Sequence, residues 1–213
     1  MILYGLVDGD PYTRKVRYQP RTCFLMTQLG EPVPEQVISI KCDLNNILKS
    51  QDIKLIDANS DVTGKDFLSK IWSMIVAVPL AVAVVHKDMP VSTLHNVFYE
   101  IGVAQALGKE TIVIKAKDAE VPSDFVRTEY IEYDEAFQMK MNKFLKSFFE
   151  RAAYYEDMAS LMEQNPLLAI DYLRRAYLIT GHKECRKRAA NILGSLTLEG
   201  RARDSVEMML AEF

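Results

Sequence analysis

A chain of 213 residues with 49% hydrophobic and 26% charged side chains has enough material for one α/β domain and a smaller appendage, and too much apolar content to stay disordered. Its formal net charge of −3 gives no general attraction to nucleic acid or to anionic lipid, so neither is expected as a partner. Cys23, Cys42 and Cys185 are odd in number and far apart, which suits neither a disulfide framework nor a zinc cluster; free thiols are expected, with Cys23 in the core.

The chain opens MILYGLVDGDPYTRK, without the basic-then-apolar order of a secretory signal, and a cytoplasmic location is the expectation. Residues 1 to 21 read as an N-terminal arm with a short strand at Ile2 to Leu6. The first strong strand is Thr22 to Gln28. After the loop LGEPVPE, Pro34 sits well at a helix start, and Val37, Ile40, Leu44, Ile47 and Leu48 form an apolar stripe ending near Ser50. Asp52 to Ala58 is the second strand. Beyond the polar loop NSDVTGKD, Phe67, Leu68, Ile71, Trp72 and Ile75 mark a second helix up to about Ala77. Leu80 to His86 is the third strand. The longest apolar stretch, Ile75 to Val85, is broken by Pro79 and falls far short of the ~20 residues of a membrane span.

Ser92 to Lys109, STLHNVFYEIGVAQALGK, follows as a helix of roughly four turns, with Leu94, Val97, Phe98, Ile101, Ala104 and Leu107 at helical spacing. Ser92 is placed to cap it and Gly108 to end it. Glu100 is out of place in this apolar pattern; it shares a face with Asn96 and lies next to Gly102, where a ligand has room to approach. Thr111 to Ala116 and Arg127 to Tyr133 are the fourth and fifth strands. The alternation predicts a doubly wound, flavodoxin-like, mostly parallel sheet of five strands over residues 1–134, followed by an α-helical extension over 135–213.

That extension begins with a broad stripe of Phe137, Met141, Phe144, Leu145, Phe148 and Phe149. Asn165 then caps a helix beginning at Pro166, Gly181 stops it, and further helices follow, the last being RARDSVEMMLAEF. Small residues at Ala169, Ala176, Ala189, Ala190 and Gly194 resemble a tetratricopeptide-type hairpin of about one and a half repeats. Since stacked repeats need about three units to stand alone, docking on the first domain, a protein partner or a second copy is expected.

In a doubly wound sheet, ligands bind outside the carboxyl ends of the strands. That rule selects Thr27, Gln28 and Glu31 after the first strand, Asp57, Asn59 and Asp61 after the second, His86 and Asp88 after the third and Lys115 after the fourth. There is no Walker pattern, no G-x-G-x-x-G and no G-x-S-x-G, and His86, His95 and His182 are not spaced as metal ligands or triad members. No cofactor and no metal is expected. The histidines read as structural or incidental, with His95, beside Asn96, the first candidate for an exception.

The order FLMTQLGE, a strand ending IDA, and LAVAVV followed by NVFYEIGVAQALGKETIVI resembles the TIR-like and nucleoside 2-deoxyribosyltransferase-like nucleotide-processing domains over residues 22 to 133. Its most specific part runs from Asn96 to Ile114. The resemblance implies that Glu100 works at an N-glycosidic bond of a nucleoside, nucleotide or NAD, as nucleophile or as stabiliser of a ribosyl oxocarbenium ion. Asn96, Thr27, Gln28, Asp57, Asp61 and Asp88 are the accompanying ligand-binding candidates. One departure stands out: transferase members carry an aspartate just before the third strand, where this chain reads Val78-Pro79-Leu80. That weakens base exchange relative to NAD cleavage or nucleotide binding. Three readings therefore stay open: a glycosidic-bond hydrolase, a non-catalytic nucleotide-sensing or protein-interaction module, and a transferase.

Overall fold

The computed structural model describes residues 16–59, 67–121, 130–162 and 164–195. The strand expected at Ile2 to Leu6, the candidate Asp61 and the final helix from Arg201 lie outside the described residues. Five strands, β1 (Thr22–Met26), β2 (Lys54–Asp57), β3 (Leu80–Val85), β4 (Glu110–Lys115) and β5 (Tyr130–Glu132), form an all-parallel sheet in the order β2-β1-β3-β4-β5. The helices between and after them are α1 (Glu35–Ser50), α2 (Phe67–Ala77), α3 (Val91–Ala106), α4 (Phe137–Leu161), α5 (Pro166–Thr180) and α6 (Lys183–Ser195).

Strand alternation sorts the apolar side chains into two cores. Cys23, Leu25, Leu80, Val82, Val84, Ile112 and Ile114 point to one face. There they meet Val37, Ile40, Leu44 and Leu48 of α1 and Phe137, Met141, Leu145 and Phe148 of α4. Phe24, Met26, Ile56, Ala81, Ala83, Val85 and Val113 point to the other, against Ile71 and Ile75 of α2 and Val97, Phe98, Ile101 and Ala104 of α3. β3 is buried along all six residues, as a central parallel strand covered on both faces must be. All five residues of the expected α1 stripe are buried.

The helix starts differ from expectation at one point. Ser92 does not cap α3; the helix begins at Val91 with Pro90 in the N-cap position and no side-chain cap bond. Proline fixes the φ that a helix entry needs, so it takes over the start without supplying an acceptor. At the other end Gly108 adopts φ +66, the left-handed conformation that closes a helix. In the tail, Asn165 accepts a hydrogen bond from the Leu168 amide at 3.3 Å, Pro166 opens α5, and Gly181 ends it with φ 73.

α4 serves two cores. Phe137 to Ala152 belong to the sheet's core, whereas Ala159 packs with Ile170, Leu173 and Ala176 of α5 and Cys185 and Ala189 of α6. α5 in turn returns to the amino-terminal edge of the sheet. The Arg21 amide, just before β1, donates to Leu178 at 2.8 Å, and Arg174 donates to the Tyr18 hydroxyl at 2.7 Å. No helix among the described residues is long and apolar enough to cross a membrane.

Candidate functional site

The strand order places the topological switch point between β1 and β3, because the chain leaves β1 toward α1 on one face and leaves β3 toward α3 on the other. Two of the expected residues meet a third there. The Gln28 amide nitrogen donates to the carbonyls of Gly30 at 2.9 Å and Pro32 at 3.0 Å, which turns its oxygen toward Nε2 of His86, 2.9 Å away. That oxygen can only accept, so His86 carries its proton on Nε2 and presents a lone pair at Nδ1. Nδ1 is buried and has no hydrogen-bond partner. Burial holds the ring's pKa below its usual value, with the nearby Asp88 carboxylate opposing it, so His86 is neutral at pH 7. Thr27 spans the same crevice, its hydroxyl donating to the Val84 carbonyl at 3.3 Å.

The strand-end rule selects His86 but does not foresee its pairing with Gln28. Its partner stands 58 positions away, and only the pairing of β1 with β3 brings the two together. Two hydrogen bonds already occupy Asp57. Lys41 Nζ lies 2.6 Å from its Oδ2 and the Asn59 amide 3.1 Å from its Oδ1, so this carboxylate pins the end of β2 to α1. Glu31 accepts from the Val33 amide at 3.1 Å and so shapes its own loop. Lys115 lies 3.9 Å from Glu132 and over the Tyr130 ring, on the β5 side of the sheet. Asp88 and Asn96 are exposed.

Glu100 occupies a different position. It is nine residues into α3, about 13 Å along the axis from Val91 at ~1.5 Å per residue, and α3 runs antiparallel to the strands. Leu107, seven residues on and therefore at nearly the same azimuth, packs with Val76 and Ala77 at the end of α2. Glu100 and Asn96 thus share the flank of α3 that faces α2. Gly102 does not join them: at ~100° per residue it projects nearly opposite to Glu100, and a side chain built there would meet nothing.

Glu100 is half-buried, and no described residue is hydrogen-bonded or ion-paired to it. Burial without a compensating partner pushes its pKa up to about 7. On α2, Trp72 Nε1 is likewise buried without a partner. An uncompensated carboxyl costs stability, so its retention on a packed flank is what a site awaiting a positively charged or hydrogen-bonding ligand would look like. Among the described residues no group of three or more His, Cys, Asp or Glu side chains converges as a metal site would require. Compared with family models, with curated proteins and with solved structures, the chain matches none of them.

Proposed function

We propose that the chain binds a nucleoside, a nucleotide or NAD and hydrolyses its N-glycosidic bond, with Glu100 as the catalytic carboxylate. The observation that carries this reading is the half-buried Glu100, without a partner among the described residues and with its pKa raised to about 7. The similarity of Asn96 to Ile114 to the helix of TIR-like and deoxyribosyltransferase-like domains supports it. So does the doubly wound sheet, at whose switch point Thr27, Gln28 and His86 lie together.

In the reaction the bond between the anomeric carbon and the base nitrogen breaks, and the nitrogen leaves with the electron pair. The ionised Glu100 either faces the resulting oxocarbenium ion or forms an ester with it; water then supplies hydroxide to the carbon and releases a proton. With NAD the departing pyridinium nitrogen becomes neutral nicotinamide and needs no proton, which suits a carboxylate that has no acid paired with it among the described residues. Because only the ionised form can act, turnover should rise with pH through about 7, or lower when a cationic substrate favours the carboxylate.

The test is incubation with NAD and with deoxynucleosides, following nicotinamide or free base. Glu100→Gln should reduce release by about 10²-fold or more while ligand still binds. Asn96→Ala should weaken binding more than turnover. Full activity in Glu100→Gln removes the catalytic assignment. A nucleotide sensor without turnover is the second reading; it is favoured by the depth of Glu100 along α3, away from the strand ends, and by ligand binding with no product from the unmutated chain.

A further inference from the structure

At the opposite, amino-terminal edge of the sheet, where α3 passes into β4 and where α4 and α5 cover the junction, lies a polar cleft of about 400 Å³. Lys109, Arg151 and Arg175 line it against a single carboxylate, Glu110, with Gln105, Thr111 and Ser147 as neutral hydrogen-bonding groups. It continues into a narrower pocket bounded by Arg174. We propose that this cleft is a binding site for a small phosphate-bearing anion, separate from the Glu100 flank.

Arg151 spends Nη1 on Glu110 at 2.5 Å and leaves Nε and Nη2 without an acceptor among the described residues, so half of its planar fork is available to a phosphate oxygen. Arg175 comes from another helix. Its Nε donates to Asp171 at 2.9 Å, and its fork rests on Gly108, where a Cβ would stand 2.7 Å from Nη1; the glycine is what lets the guanidinium come so close to the turn. Behind it the Nε of Arg174 is buried and has no partner. Lys109 donates to the Val76 carbonyl at 2.7 Å. Its burial, together with Arg174 and Arg175 and against the opposing Asp171, pulls its pKa down to about 7. Three arginines and a lysine packed this closely repel one another, and the two carboxylates beside them, Glu110 and Asp171, offset only part of that. An anion would relieve the remainder. The volume falls within the range of small-ligand sites.

The consequence is mechanical as well as chemical, since the lining comes from α3, β4, α4 and α5 and a bound anion joins the helical tail to the sheet. Inorganic pyrophosphate is the probe, titrated into the full chain by calorimetry at fixed ionic strength, with chloride and sulfate as references. Binding in the millimolar range or tighter is expected. Arg151→Gln should weaken it about ten-fold or more. Ser147→Glu, at an exposed helix position lining the cleft, should do the same without disturbing the core. Glu100→Gln should leave it unchanged, which keeps this result independent of the glycosidic reading. Absence of binding, or equal binding in Arg151→Gln and Ser147→Glu, or sulfate and pyrophosphate binding alike whatever the variant, would overturn the proposal.

Discussion

Glu100 and Lys109 lie on one helix and its exit turn, and burial displaces both toward neutrality from opposite directions. For Glu100 the folded-state pKa lies above the unfolded value, so the native state binds the extra proton and stability falls as pH rises from about 4.5 to about 7. Above that window the native chain carries a desolvated charge at a cost on the order of 3 kcal/mol. Glu100→Gln removes the charge while keeping the size. It should therefore raise the melting temperature clearly at pH 8 and hardly at pH 4.5. Thermal melts of the two proteins across that range check it, and a constant difference would mean that the carboxyl is not desolvated. The same measurement separates a retained, costly carboxylate from an ordinary solvated helix glutamate, whose replacement should change stability by less than ~0.5 kcal/mol.

At the level of elements, the tail helix α5 is held by two terminal devices that can be removed singly. Asn165→Ala deletes the acceptor of the Leu168 amide and should cost about 1 kcal/mol. Gly181→Ala forces a β-carbon into the left-handed region and should cost roughly 1 to 2 kcal/mol, although the space beside Arg21 is adequate. Denaturant midpoints read both. These devices were legible in the sequence because asparagine before proline and glycine after an apolar stripe act on their own neighbours. The strands were legible for the same reason: LAVAVV and TIVIK are continuous apolar runs, and only a two-sided burial accommodates them. Boundaries moved by a residue or two where β-ladder pairing ends before the apolar run does, as at Gln28 and His86, both of which leave the sheet to bind each other. The site was less legible. That Glu100 stands without a partner among the described residues, on the flank turned to α2, depends on how α2 and α3 pack, which the pattern of α3 alone does not give. The basic cleft could not be read at all, since its lining comes from segments that only folding brings together.

Across the whole molecule, the sheet and the tail share backbone and side-chain bonds at the amino-terminal edge of the sheet, so the α5–α6 segment is a structural part of that edge. Ending the chain after Met162 would strip Ile179 from the sheet's core, leave the Arg21 amide without its Leu178 acceptor, and expose Ala159 and Tyr155. A lower melting temperature and aggregation on warming are expected of that fragment, measured by light scattering during a thermal ramp. A monomeric fragment melting with the full chain would make the tail an independent appendage.

α4 is longer than the sheet it covers. Its 25 residues span about 37 Å at ~1.5 Å per residue, yet its packing against the sheet's core ends at Tyr155. The remaining turns reach past the edge of the sheet and carry α5 and α6. Such a helix is a lever whose fulcrum is the Phe137 to Phe148 seat. A tilt of about 10° about the middle of that seat would sweep its far tip through roughly 5 Å, since an unbroken helix transmits rotation without bending much. Because α5 is bonded back to the sheet edge through Arg21 and Tyr18, such a swing would have to break those bonds, so the overhanging end of α4 is braced by the helix it carries.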